Sequence, residues 1–527
     1  MDHSSIASAR LVLLSVLGLV LLGCGSGGDE PAGPVGQYDW HLAGGTVVDG
    51  TGADARPADV LVRGDTIAPV GPVDPDTIEV DERVDVSGEI VAPGFIDAHA
   101  HGDPTETPKF RNFLAMGVTT ILLGQDGGSP RAQALSAQLD SIAAARPFLN
   151  VGYLVGHGTL RTESGIGHGR PSAAQRRALA GLVEKGLEAG AFGLSLGLEY
   201  EPGRQARRPE LVAIAEPVAA RDGVIMSHMR SEDAADIEAS VDELLEQGRA
   251  TGAHVHAAHL KIVGSDDPER ADAVLDQMAE ARDEGLSVTA DVYPYTASFT
   301  GVSIVFPEWA RPPNDYETVR EERTEELRTY LTNRIQQRNG PDAMLFGTGP
   351  WAGRTLAEVA DDENRPFADV LMDIGPQGAS AAYFVMDQAV MERFLAAEHT
   401  VVSSDGSPTM HHPRGHGAFA RVLSDYTGPD ALLSLETAIH KMTGKTASIV
   451  GLDDPNRVAI PRGRVQEGYA ADLVAFDPSA VEDRADFEHP HELATGMRRV
   501  WVNGRLTWTD EALRPSTGAG HVLRDRR

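Results

Sequence analysis

The 527-residue sequence contains a single cysteine, Cys24, so no disulfide can form within the chain. Basic side chains are scarce as well. Against 78 Asp+Glu stand 46 Lys+Arg, a formal net charge of −32. So acidic a surface repels phosphate backbones and anionic headgroups, which excludes nucleic acid as an expected partner and leaves solubility as the plain reading of the charge. Internal repeats of the solenoid kind are missing too. Hydrophobic residues make up 41% and aromatics 6%, with 56 Gly and 32 Pro, which suits an α/β enzyme with many turns rather than a fibrous or disordered chain.

The apolar run of residues 11–22 is too short to span a bilayer comfortably but has the length of a signal-peptide core, preceded by Arg10. It ends in Leu21-Leu22-Gly23-Cys24, which resembles a bacterial lipobox, the cysteine becoming the lipidated first residue of the mature protein. The expectation is an exported lipoprotein of the cell envelope, held to a membrane through Cys24 alone. Gly25 rather than Asp follows the cysteine, which by resemblance to Gram-negative sorting rules implies the outer membrane. Residues 25–38 are expected to be a flexible tether.

Residues 39–90 show short alternating runs such as Asp59-Val60-Leu61-Val62 between Gly and Pro turns, and residues 451–515 carry similar runs in Ala471–Phe476 and Arg499–Val502. Both ends are expected to join in one small β-sandwich, with 516–527 as a tail. Between them, from 91 to 450, eight β-rich runs alternate with helical stretches, the pattern of a (β/α)8 barrel. The runs are Val91–His99, Thr119–Gly124, Asn150–Val155, Ala191–Ser195, Val224–His228, His254–His259, Ser287–Tyr293 and Thr400–Ser404. Roughly a hundred residues separate the last two. That gap, about 300–398, is expected to be an insertion forming a lid or small subdomain, with an amphipathic helix over 316–337.

The strongest local signal is Pro93-Gly94-Phe95-Ile96-Asp97-Ala98-His99-Ala100-His101. In a strand, His99 and His101 point to one face, here the inside of a barrel at its C-terminal mouth, where one metal can sit between them. His228, His259 and Asp405 each follow a later strand. A lone strand-end histidine is more often structural, but such residues on different strands converge at the barrel mouth.

The order of motifs resembles the amidohydrolase superfamily and, within it, the N-acyl-D-amino-acid deacylases. It runs from about Asp39 to Arg505: PGFIDAHAH, GVTTILLGQDGG, GHGTLR, GLSLGLEY, SHMR, HLK, YPYTAS, SDG, HPRGHGAF, ADLVAFDP and VNG. The resemblance implies a distorted barrel with a β-sandwich from both termini, and zinc as cofactor in one or two copies. His99 and His101 would bind one position and His228 and His259 the other. The family's usual cysteine ligand falls on Asp126 of Gly124-Gln125-Asp126-Gly127, an oxygen ligand that makes the site harder and more tolerant of Mn²⁺ or Co²⁺. Asp405 would take a proton from the attacking water and pass it to the departing amine. By their places in the motifs, Lys261, Tyr200, Tyr293 and Arg414 would hold the free carboxylate of a small-molecule substrate. Where relatives often carry a serine after YPY, this chain has Phe299, flanked by Ser298 and Thr300. His157 lines the mouth or is a structural histidine.

The expected reaction is hydrolysis of a linear amide, an N-acyl-D-amino acid or an L-Xaa-D-Xaa dipeptide. Two other readings stand beside it. A cyclic amidase of hydantoinase or dihydroorotase type would need a bridging lysine at a strand end, and no motif suggests one. A non-catalytic peptide- or metal-binding lipoprotein would not need Asp405.

Overall fold

The computed structural model describes residues 36–428, 430–509, 512–514 and 518–527. The expectations for Cys24, the signal segment and most of the tether lie outside the described residues. The tether was expected to run to residue 38, but Gly36–Val47 is already a strand, with Tyr38 4% exposed. The reason is local. The Tyr38 ring packs with Leu61 and Ala68 and lies under the Arg63 guanidinium, 4.5 Å from its centroid.

Strands from both ends of the chain share one nine-stranded sheet. Leu473–Phe476 pairs antiparallel with Ile90–Pro93, which in turn runs parallel to the end of Gly36–Val47. Its apolar face buries Leu42, Val60 and Trp501, with Trp40 packed edge-on against Trp501. At Gly94 the chain leaves this sheet. The continuous strand expected over Val91–His99 is therefore two, Ile90–Pro93 in the mixed sheet and Phe95–Asp97 in the barrel. The backbone turns there against Thr119, whose hydroxyl would lie 2.2 Å from a Cβ at position 94.

The barrel strands are β1 (Phe95–Asp97), β2 (Val118–Leu123), β3 (Asn150–Tyr153, continued as Val155–Gly156), β4 (Gly193–Gly197), β5 (Val224–His228), β6 (His254–Ala257), β7 (Val288–Val292) and β8 (Thr400–Val402). All neighbouring pairs are parallel, and β3 passes through Leu154 from pairing with β2 to pairing with β4. Just past the strand ends, a bridge between Ala100 and Gly406 closes β1 onto β8. Amphipathic helices return the chain between strands. Ala173–Glu188 starts at a Ser172/Gln175 capping box, and Ile237–Thr251 ends on Gly252 in the left-handed region. Both faces of the parallel strands are buried, as such a sheet requires.

Between β7 and β8 the inserted residues build a unit with its own core. Ser298–Gly301, Met344–Phe346 and Ser380–Tyr383 form a three-stranded antiparallel sheet. Phe306, Leu327, Leu331, Phe346 and Tyr383 fill the space beneath it. The single helix expected over 316–337 is broken into Tyr316–Glu322 and Thr324–Gln336. Arg323 leaves helical geometry at the break and stacks on Trp309, 3.6 Å from the ring centroid. Residues 518–527, expected as a tail, lie along β3, with Val522 bridging Val151 and Asp525 paired to Arg457 at 2.6 Å.

Candidate metal centre and active site

The closure of β1 onto β8 decides where the first candidate residues sit. The Asp405 N–H donates to the His99 carbonyl at 2.9 Å and the His101 N–H to that of Gly406 at 2.7 Å, so Asp405 is carried to the two histidines ending β1. Buried Asp97 fixes the junction from behind, accepting the N–H groups of His99 at 3.1 Å and Ser404 at 3.2 Å. Asp126, on the loop after β2, has φ 53°, while His259 has φ 36° and Asp405 φ 46°. Three non-glycine residues in the left-handed region at one place mark backbone strain held by the surrounding structure.

Asp126 is central. Its Oδ1 lies 3.4 Å from His99 Nε2, 3.4 Å from His259 Nε2 and 3.9 Å from His228 Nδ1, and its Oδ2 lies 3.5 Å from His101 Nε2. Asp405 Oδ1 lies 3.1 Å from His101 Nε2 and 3.7 Å from His99 Nε2. The donors fall into two groups that share Asp126, one with His99, His101 and Asp405 and the other with His228 and His259. Donors placed about 2.0–2.1 Å from a tetrahedral zinc ion are about 3.4 Å apart, close to these spacings. His99 Nε2 and Asp126 Oδ1 are buried without a hydrogen-bond partner, atoms whose burial a cation would satisfy. The residues fit one or two divalent ions, which His99, His101, Asp126, His228 and His259 would hold.

Three buried histidines turn their second nitrogen toward carboxylates that the sequence reading missed. Glu199 Oε2 is 3.2 Å from His228 Nε2 and Glu232 Oε1 is 3.1 Å from His259 Nδ1, contacts that set the tautomer and orientation of a ligating imidazole. Asp291 Oδ1 is 2.8 Å from His256 Nε2 and faces His99 Nδ1 from 3.9 Å, too far for a hydrogen bond. Their one signal in sequence is adjacency: Glu199 precedes Tyr200, and Asp291 sits two residues before Tyr293.

The charges settle the same way. Burial opposes ionisation of Asp126, but His99 and His259 beside it prevail and hold its carboxyl well below the usual range. Burial likewise opposes ionisation of Asp405, and Arg414 with His259 outweighs it. His259 is pushed up to about 9, its burial and Lys261 being overcome by Asp405 and Glu232. Imidazoles drawn toward protonation by a ring of carboxylates describe a site suited to positive charge.

Lys261, Tyr200, Tyr293 and Arg414 line one cavity of about 230 Å³ together with His101, Asp126, His228, His259 and Asp405. Both cations are already paired, Arg414 with Asp405 Oδ2 at 2.9 Å and Lys261 with Glu232 at 2.5 Å. They lie near the Tyr293 ring, at 4.6 and 5.7 Å from its centroid. The Tyr200 ring packs against His228 at a 37° tilt, and its hydroxyl accepts from Thr300 at 3.1 Å. Phe299 and Ser298 face the same space, and Ser298 Oγ is buried with no partner there. His157 stands apart, 2.9 Å from Glu210, which also pairs with Arg161.

Comparison with known proteins gives a consistent picture. A sequence profile of the amidohydrolase family matches residues 350–508. The chain is 34% identical to a D-aminoacylase of Alcaligenes xylosoxydans xylosoxydans over 92% of its own length and 97% of that protein's. It is 36% identical to an N-acyl-D-glutamate deacylase of the same organism, covering 93% and 97%. A crystal structure of N-acyl-D-glutamate deacylase from Bordetella bronchiseptica, complexed with zinc and a phosphonate inhibitor mimicking the tetrahedral intermediate, superposes with TM-score 0.80 at 32% identity, covering 93% of this chain and all of that one.

Proposed function

The chain belongs to the D-aminoacylase family of amidohydrolases, and from that premise we propose that it is a zinc-dependent hydrolase converting N-acyl-D-amino acids to a carboxylate and a free D-amino acid. The observation that carries the reading is Asp126 shared between two groups of donors at the mouth of the barrel, with its Oδ1 and the facing His99 Nε2 buried and unpartnered. His99, His101, Asp126, His228 and His259 would hold the ions, and the all-nitrogen-and-oxygen set admits Mn²⁺ or Co²⁺ beside Zn²⁺. When bound, the divalent ion supplies the charge that acidifies an attacking water and polarises the scissile carbonyl.

The chain's own residues do the rest. The Asp405 carboxylate, kept ionised by Arg414, accepts the proton of the attacking water and returns it to the amine nitrogen as the amide breaks. Arg414 and Lys261, both close to the Tyr293 ring, attract the α-carboxylate, and the Tyr200 and Tyr293 hydroxyls complete its cradle. An L-Xaa-D-Xaa dipeptide presents the same amide and the same carboxylate and is the alternative substrate form. The sheet shared by both ends is read as the β-sandwich, and the inserted unit as a lid over the cavity. Export with a lipid on Cys24 rests on the Leu-Leu-Gly-Cys sequence; among the described residues no helix is long and apolar enough to cross a membrane. Failure of labelled palmitate to enter the protein in cells would remove the anchor.

The purified protein, after metal analysis, is to be assayed against N-acetyl-D-amino acids, their L-enantiomers, an L-Xaa-D-Xaa dipeptide and a hydantoin. Turnover of the D-compounds is expected, lost on chelation and restored by zinc. Turnover confined to the L-enantiomers or the hydantoin would overturn the assignment.

A further inference from the structure

The segment between the strands Leu473–Phe476 and Met497–Val502 returns to the barrel and brings His491 against two histidines that follow β8. His416 sits in the first turn of the helix Arg414–Asp425, and His411 lies just before that helix. The His491 ring centroid is 5.0 Å from that of His411 and 5.1 Å from that of His416, with interplanar angles of 63° and 50°. Two imidazoles bound to one tetrahedral ion through bonds of about 2.0–2.1 Å have centroids about 5 Å apart. The candidate ligands of the catalytic centre show the same spacing, 4.8 Å for His99 with His259 and 4.7 Å for His228 with His259.

Spacing alone would also suit rings that merely pack, and the nitrogens separate the two cases. His416 is 4% exposed, and its Nδ1 is buried with no hydrogen-bond partner, the condition of His99 Nε2 in the catalytic centre. Burial, and after it His491, lower its pKa to about 4, so at neutral pH its lone pair is open to a cation. His491 Nε2 donates to the Met410 carbonyl at 2.9 Å, which leaves the lone pair of the neutral ring on Nδ1. A backbone carbonyl behind the ring is how ligating histidines are commonly oriented.

His416 and His491 line a cavity of about 540 Å³ with Phe110, Pro408 and Leu493, and it shares no lining residue with the catalytic cavity. The space admits an ion with its water ligands. Glu106, on the same lining, has no ion-pair partner among the described residues and offers a carboxylate, while the two cations of the lining, Lys109 and Arg111, are exposed. Among the described residues the three histidines do not close on one point as the catalytic donors do, so the assignment is to the buried pair member and its partner, not to all three rings.

We propose that His416 and His491 form a second, separate binding site for a transition-metal ion that favours imidazole, such as Zn²⁺, Ni²⁺ or Cu²⁺, with Glu106 and water completing the coordination. An ion there ties the 477–496 segment to the helix that begins with Arg414.

Zinc in small molar excess is to be added to the purified zinc-loaded enzyme, wild type beside His416→Gln and His491→Gln. Equilibrium dialysis with elemental analysis then counts the bound ions, and anomalous scattering at the zinc edge places them in crystals. The wild type is expected to hold about one zinc ion per chain more than either variant, with anomalous density between the two rings, while both variants keep their catalytic zinc. Equal zinc contents in the three proteins, or no density between the rings in the wild type, would overturn the site. Loss of catalytic zinc from the variants would overturn its separateness. His491 is exposed, so His491→Gln decides should His416→Gln fail to fold. The readout is bound metal and not turnover, so this site stands or falls apart from the deacylation assigned above.

Discussion

Asp405 is pulled in two directions, its Oδ1 toward His101 and its Oδ2 toward the Arg414 guanidinium. A carboxylate so placed stays ionised despite burial, which a proton acceptor requires and a helix cap does not. Asp405→Asn keeps the shape and one oxygen but cannot take a proton. Its kcat is expected to fall about 10²–10⁴-fold while the protein keeps its bound metal, measured by steady-state kinetics beside elemental analysis of the same sample. An Asn variant with full metal and wild-type kcat would return Asp405 to a structural role. Residues of this kind were legible in the sequence because each closes a barrel strand, and strand ends meet at the mouth. Glu199, Glu232 and Asp291 were not. An acid near a helix start or on a strand looks solvated until the fold shows that the second nitrogen of a histidine distant in sequence points at it, about thirty residues away for Glu199 and Glu232 and almost two hundred for Asp291.

At the scale of elements, one glycine separates the two halves of the architecture. Gly94 ends the strand that belongs to the mixed sheet, and its amide donates to the Asp472 carbonyl at 2.8 Å while Phe95 begins β1. A methyl group at this position would overlap Thr119, whose Oγ1, Cγ2 and Cβ all lie within 2.8 Å of the ideal Cβ. Gly94→Ala must therefore move β1 against β2, and His99 follows directly on β1. The expected result is a loss of about 1–3 kcal/mol in stability, seen as a lower thermal midpoint, together with weaker metal retention on dialysis. A midpoint and metal content equal to wild type would show that the junction yields freely. The alternation of strands and helices was legible from periodicity. The break at Gly94 was not, because an unbroken apolar run fits one strand or two, and which sheet each half joins is decided by Leu473–Phe476, almost four hundred residues away. The break at Arg323 was hidden for a similar reason, since the stacking on Trp309 that accompanies it is a tertiary contact.

Over the whole molecule, two electrostatic effects compete as the pH falls. The net charge of −32 repels itself, and protonating exposed carboxylates toward the pI of about 4.9 relieves that repulsion. Against this stand histidines folded in their neutral form. His254, at the start of β6, is lowered to about 3 by burial and then by His256 and Arg457, and His416 is lowered to about 4 by burial and then by His491. The unfolded chain binds protons at these positions near pH 6.5, so their contribution to stability is full above that value and is lost as the pH falls from 6.5 toward 3–4. Screening tips the balance: at 0.15 M salt the Debye length is about 8 Å, which mutes repulsion between spread surface charges but leaves the cost of a buried proton in place. The thermal midpoint is therefore expected to drop between pH 7 and pH 5 at physiological salt. The drop should be smaller at low salt, where relief of repulsion counts for more, and smaller again in a His254→Gln/His416→Gln double variant. A midpoint that rises steadily from pH 7 to pH 5 at 0.15 M salt would show that surface repulsion, and not the buried imidazoles, governs the stability of this fold.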